Sequence, residues 1–125
     1  MKIYESGENY LETIYIMHKR MGAVRAVDLC AELGFSKPTV SVALKRFRED
    51  GYVTVDGDGH IALTEKGLEI AERMYERHNG IAAMLIAMGV DEETAYEDSC
   101  RIEHHISDKS FRCMQKYYEE HMRQS

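Results

Sequence analysis

The sequence predicts a mostly α-helical protein with one β-hairpin in its first half. Three observations predict it. Most of the 125 residues fall in stretches whose apolar positions recur at helical spacing. One segment, "YVTVDGDGHIAL" at 52–63, sets two β-rich runs around a DGDG turn signal. The one proline, Pro38, stands in the first turn of a helical stretch, where proline is tolerated, and not inside one.

The elements follow in order. "GENYLETIYIMHKR" at 7–20 places Tyr10, Leu11, Ile14, Tyr15 and Met17 on one helical face. "MGAVRAVDLCAELGF" holds a short helix near 26–33, stopped by Gly34. "SKPTVSVALKRFREDG" is a complete helix signal: Ser36 caps it, Pro38 opens it, Gly51 ends it, and Val40, Leu44 and Phe47 are its buried positions. The hairpin comes next. Thr64 opens a long helix through "TEKGLEIAERMYERHNGIAAMLIAMG", whose apolar stripe includes Leu68, Met74, Ile81 and Ile86, and Gly89 ends it. "DEETAYEDSCRIEHHI" starts a further helix, acidic at its N-terminus as the helix dipole favours. "SDKSFRCMQKYYEEHM" is the last, with Phe111, Met114, Tyr117 and Tyr118 apolar.

Short helix, tight turn, second helix with a basic polar face, then a hairpin: this is the order of a winged helix-turn-helix, whose second helix enters a DNA major groove. Arg25, Ser36, Lys37, Pro38, Thr39, Ser41, Lys45 and Arg46 are the candidate DNA-binding residues, with Lys and Arg suited to phosphates. The reading without function is a compact helical subdomain. The expected division is 1–63, a winged helix-turn-helix DNA-binding domain, and 64–125, an all-helical domain for dimerisation, since readers of this kind pair to span two half-sites.

A net charge of −6 argues against nucleic acid, but the charge is unevenly placed. Residues 1–63 carry eight Lys and Arg against nine Asp and Glu, hence −1; residues 64–125 carry eight against thirteen, hence −5. The basic stretch Lys37–Arg48 lies in the first half. The longest apolar run, Ile81–Met88, is too short to span a membrane. "MKIYESGENY" lacks the apolar core of a secretion signal, so a cytoplasmic protein with no membrane partner is expected. In that reducing compartment Cys30, Cys100 and Cys113 are thiols, and Cys30 and Cys113 fit as small buried residues.

The chemistry concentrates in "CRIEHH". On a helix, Cys100, Glu103 and His104 share a face at i, i+3 and i+4, while His105 points away. Thiolate, carboxylate and imidazole together suit a borderline divalent metal: iron(II), manganese(II), cobalt, nickel or zinc. Further ligands would come from elsewhere, with His78, Glu8, Asn9 and Glu12 as candidates. Three other readings remain: a solvated helix face, a Cys100 nucleophile activated by His104, and a redox-sensing Cys100. No oxyanion hole or substrate pocket is evident, so neither an enzyme nor a small-molecule substrate is expected.

"ENYLETIY", "SKPTVSVALKRFREDGYV", "LTEKGLEIAERMYERH" and "CRIEHHISD", in this order and spacing, resemble the diphtheria-toxin-repressor and manganese-transport-regulator family of metal-dependent transcriptional repressors. The resemblance runs over essentially the whole chain and implies no SH3-like domain, as in the manganese branch. It implies a homodimer that binds operator DNA, with a divalent metal as corepressor held by Asn9, Glu12, His78, Cys100, Glu103 and His104. Cys100 matches the iron branch and Glu12 the manganese branch. Asn9 departs from the family's Asp or Met. Ala82 and Tyr96 stand where the iron branch has further ligands, which implies one good metal site per subunit, with a weaker second one through Glu12 and His78 as the alternative. Val42 stands where that branch has Gln; an apolar side chain there suits a thymine methyl. The implied function is metal-dependent repression of metal-uptake genes. Iron(II) is favoured over manganese(II) because thiolate is the softer donor. The rival expectation is a winged-helix regulator that senses oxidants through Cys100, or a small molecule.

Overall fold

A computed structural model describes the chain from Glu5 to Met122; residues 1–4 and 123–125, the outer ends of the two expected domains, lie outside the described residues. The chain divides into two compact units between Glu72 and Arg73.

The first unit contains α1 (Glu5–Met21), α2 (Ala26–Leu33), α3 (Lys37–Glu49), strands β1 (Val53–Val55) and β2 (Ile61–Leu63), and the opening turns of α4 (Glu65–Ala87). Tyr10, Leu11, Ile14 and Met17 of α1 are buried in one core with Leu29 of α2 and Val40, Leu44 and Phe47 of α3. The Tyr10 ring meets Phe47 edge-on at 5.5 Å, which ties α1 to α3. The turn between α2 and α3 depends on Gly34, whose φ of +71° few side chains tolerate; its N–H donates to the Cys30 carbonyl at 2.9 Å. Ser36 then caps α3, its hydroxyl accepting from the Thr39 N–H at 3.3 Å, with Pro38 in the first turn.

β1 and β2 pair antiparallel, Val53 opposite Leu63 and Val55 opposite Ile61. Asp56 closes the loop between them: its Oδ1 accepts from the amides of Asp58 and His60, both at 2.9 Å. The Ile61 N–H donates to the Val24 carbonyl at 2.7 Å, which fastens the α1–α2 connection to the hairpin. Thr64 opens α4 through its hydroxyl, which accepts from the Gly67 N–H at 3.2 Å. Gly67 is required: a Cβ there would lie 2.1 Å from the Tyr52 carbonyl oxygen. The first turns of α4 therefore pack with the wing. The compact unit runs to Glu72, past the change of pattern at residue 64.

The second unit holds the rest of α4, α5 (Glu92–Ile102), α6 (Asp108–Tyr117) and a π-helical turn, Tyr118–Met122. Asp91 caps α5, accepting from the Thr94 N–H at 3.0 Å, and Ser107 caps α6, accepting from the Ser110 N–H at 3.1 Å. The core is small: Ile81, Met84 and Phe111 are buried, flanked by Leu85, Ile102, Ile106 and Tyr118.

Three expectations need correction. α5 ends at Ile102 and does not run through "EHH": Glu103 keeps helical angles (φ −57°, ψ −28°), but His104 and His105 belong to a turn. Arg77 draws the carbonyls of Glu103 and Ile106 toward itself, and the chain turns around it. Cys113 is exposed, because α6 buries its Phe111 side and leaves Cys113 beside Met114 and Tyr117 on an open apolar groove. Leu68 and Ile86, expected in the buried stripe of α4, are 37% and 41% exposed. Both lie at its edge.

Candidate metal centre and DNA-reading surface

α4 and α5 supply the metal donors of the second unit. His78 lies on α4. Cys100 lies in the last turn of α5, and Glu103 caps that helix. One ligand atom from each of these three residues lies within 4.8 Å of the others. Cys100 Sγ is 3.5 Å from His78 Nε2, and Glu103 Oε2 is 3.9 Å from His78 Nδ1. His104 follows in the turn, its Nε2 3.2 Å from Glu103 Oε1. The spacing of Cys100 and Glu103 survives the early end of α5 because Glu103 is still helical.

Glu103 is fully buried, whereas Cys100 is exposed. A buried carboxylate is stable only beside compensating charge or donors. Here it stands between two imidazoles, with a thiol at the open side of the cluster. Imidazole, thiolate and carboxylate converging at this range fit a borderline divalent transition metal. The Tyr96 ring meets the His78 imidazole edge-on at 5.7 Å, so the tyrosine at this position packs against a donor.

Asn9 and Glu12 lie on α1 in the first unit, Asn9 exposed and Glu12 buried. They flank Tyr10 and Leu11, which belong to the core shared with α3.

Two residues in contact with the donor segment escaped the sequence reading. Arg77, only 6% exposed, donates through Nη1 to the carbonyls of Glu103 (3.1 Å) and Ile106 (3.0 Å), and through Nη2 to the Asp108 carboxylate. That hydrogen bond holds the Asp108 carboxyl below its ordinary range. The buried Ser99 hydroxyl donates to the His78 carbonyl. In sequence Arg77 is one charge among many on a charged helix, and Ser99 a small polar residue beside the thiol. Arg77 inside the apolar spacing of α4 was the available signal. Near them, Arg112 hydrogen-bonds Glu76 at 2.5 Å, which lowers the Glu76 carboxyl and raises the Arg112 guanidinium.

The candidate DNA-binding residues all lie in the first unit. Lys37, Pro38, Thr39, Ser41, Lys45 and Arg46 are all exposed on α3, and Ser36 caps it. Arg25 caps α2, its N–H donating to Asp28 at 2.9 Å. Val42 is 62% exposed among them. Among the described residues, no helix is long and apolar enough to cross a membrane.

Residues 2–61 match the family described as iron dependent repressor, N-terminal DNA binding domain. Residues 64–124 match iron dependent repressor, metal binding and dimerisation domain. The transcriptional regulator MntR of Escherichia coli O6:H1 is 32% identical over 114 residues, 91% of this chain and 74% of that protein. An HTH-type transcriptional regulator of Methanocaldococcus jannaschii is 35% identical over 107 residues, 84% of this chain and 86% of that one. The manganese regulator SloR superposes with a TM-score of 0.78 at 24% identity, covering 95% of this chain and 55% of its own. A manganese-dependent transcriptional repressor in complex with manganese gives 0.82 at 23% identity, covering 90% and 52%. This chain thus spans about half the length of those two structures, and at that identity they show the shared fold.

Proposed function

This chain belongs to the family of iron-dependent repressors, metal-dependent transcriptional repressors with a DNA-binding and a dimerisation domain, and on that premise we propose how its own residues carry the switch. The observation that carries the proposal is the convergence of His78, Cys100 and Glu103 within 4.8 Å. These three, with His104, hold a divalent metal corepressor. Asn9 and Glu12 add donors from α1. A bound divalent cation supplies positive charge and coordination bonds that these donors share.

The consequence for DNA follows from α1. Tyr10, between Asn9 and Glu12, packs on Phe47 of α3, so restraint of α1 restrains the recognition helix. A coupling of about 1–3 kcal/mol is enough for such a switch. Ser36, Lys37, Pro38, Thr39, Ser41, Lys45, Arg46 and Arg25 form the operator-binding surface. Lys and Arg pair with phosphates, and the hydroxyls of Ser41 and Thr39 can hydrogen-bond DNA. The protein acts as a homodimer in the cytoplasm. The apolar groove lined by Ile81, Met84, Leu85, Ile102, Met114 and Tyr117 supports pairing with a second copy.

Cys100 favours iron(II) over manganese(II), because manganese is the harder ion and prefers oxygen donors. Asn9 in place of a carboxylate weakens the oxygen share of the site. Zinc, cobalt and nickel are accepted by the same donors in vitro. Oxidant or small-molecule sensing is not favoured by the family membership.

DNA-binding anisotropy on the promoter of the protein's own gene tests this. It is run without oxygen, first with chelator, then with iron(II), manganese(II) or zinc(II). Tight binding only with metal is expected, iron(II) ranking above manganese(II). Equal binding with chelator and with every metal would remove metal from the mechanism.

A further inference from the structure

Two ties hold the donor-bearing end of α5 against α4, and each involves a donor residue or its neighbour. The Ser99 hydroxyl donates to the His78 carbonyl. Ser99 precedes Cys100, so one hydrogen bond fixes the backbone beside the thiol to the backbone of the imidazole. The Arg77 guanidinium bridges the carbonyls of Glu103 and Ile106 and pairs with Asp108 at the start of α6. Arg77 precedes His78, and the turn it spans contains His104. Its guanidinium also lies 5.6 Å from the centre of the Phe111 ring, which places it on the core.

The last carbonyls of a helix have no partner within it. Arg77 meets that requirement at the end of α5 from a position 26 residues earlier in the chain. A helix rises about 1.5 Å per residue, so a slip of one residue is a large fraction of the 3.5 Å between Cys100 Sγ and His78 Nε2.

We propose that Ser99 and Arg77 are positioning residues of the metal centre, holding α5 and the following turn on α4 so that His78, Cys100, Glu103 and His104 are assembled before metal arrives. The inference rests on the metal-binding reading above. It extends that reading to residues that offer the metal no ligand. Arg77 acts through its planar fork, which spans two carbonyls and a carboxylate with two nitrogens; a lysine ammonium is a single point donor without that geometry. Ser99 is fully buried and acts through its one hydroxyl.

The test is cobalt(II) titration of the metal-free full chain under reducing conditions, followed by the thiolate-to-cobalt charge-transfer absorption. Parent, Ser99→Ala, Arg77→Lys and Asp108→Asn are compared, with the unfolding midpoint of each metal-free variant measured alongside. Ser99→Ala and Arg77→Lys are expected to weaken cobalt(II) binding about 10–100-fold, as loss of residues that orient metal ligands does, and to reduce the absorption at saturation as Cys100 leaves the set. Asp108→Asn, which removes one leg of the Arg77 network from the surface, gives a smaller loss of the same kind. It supplies the measurement if the buried variants do not fold. Affinity within twofold of the parent, with unchanged absorption, in the variants that fold would overturn the proposal. So would a loss of affinity that merely follows a loss of metal-free stability. A parent that binds no cobalt(II) would refute the metal reading itself, a result distinct from either.

Discussion

The two units are stabilised in different ways. The first rests on thirteen buried apolar residues in one continuous cluster, with the Glu12 carboxylate buried as well and caps and turns at the surface. The second buries three in its cluster, yet it also buries Arg77, Ser99 and Glu103. Apolar burial dominates the first unit. The other has put a carboxylate and a guanidinium where a larger core would otherwise lie, and its remaining apolar surface, with Met88 62% and Tyr117 60% exposed, is open. The first unit is thus the better-packed platform, while the second leaves more of its cohesion to buried polar contacts.

The largest expected effect would break the first side of that comparison. Phe47→Ala removes a ring that is 4% exposed and touches α1, and it should cost about 3–5 kcal/mol in urea unfolding. A cost below about 1 kcal/mol would mean that the first core is not the platform.

Glu103→Ala tests the second side. It removes the carboxylate that both imidazoles approach. Metal affinity should fall by at least 10–100-fold, more than for a residue that only orients ligands, and DNA binding should lose its metal dependence. Full metal dependence in this variant would displace the proposed site. Unfolding of the first unit should be little changed.

Lys45→Ala and Arg46→Ala sharpen the comparison from the surface of the first unit. Each should weaken binding several-fold on every duplex and reduce the salt slope by about one, with metal affinity untouched. An unchanged slope would take the residue out of the interface.

The smallest effect is acid sensitivity of the metal-free second unit. Arg77 lowers the Asp108 carboxyl and Arg112 lowers that of Glu76, in each case chiefly through a side-chain hydrogen bond. A carboxyl held low contributes stability that is full above its unfolded value, about 4, and is lost as pH falls through the folded value. Melting of the metal-free chain should therefore shift downward below about pH 4, and less so in Asp108→Asn. Equal shifts in both proteins would show that this pair contributes nothing to the acid response.

Much of the first unit was legible because its signals are local. Ser36, Pro38, Gly34 and the DGDG turn each fix a boundary through neighbours a few residues away. The spacing of Cys100 and Glu103 was legible for the same reason. The end of α5 was not. No Gly or Pro marks it; the turn that follows is bridged by Arg77, distant in sequence, which donates to the Glu103 and Ile106 carbonyls. The exposure of Cys113 was hidden too, since helical spacing shows that a face is apolar but not whether the same chain covers it. His78 could be named as a donor only as one of several candidates, because convergence of α4 on α5 is a tertiary fact.

Asp56 carries a consequence of a different kind. Its carboxylate takes both inward amides of the wing loop and, with Asp58, leaves the hairpin tip anionic. A wing of that sign is repelled by the phosphate backbone, while α3 is drawn to it. Electrostatic attraction of this unit to phosphates would therefore come from α3, with its Lys37, Lys45, Arg46 and Arg48, and not from the wing tip.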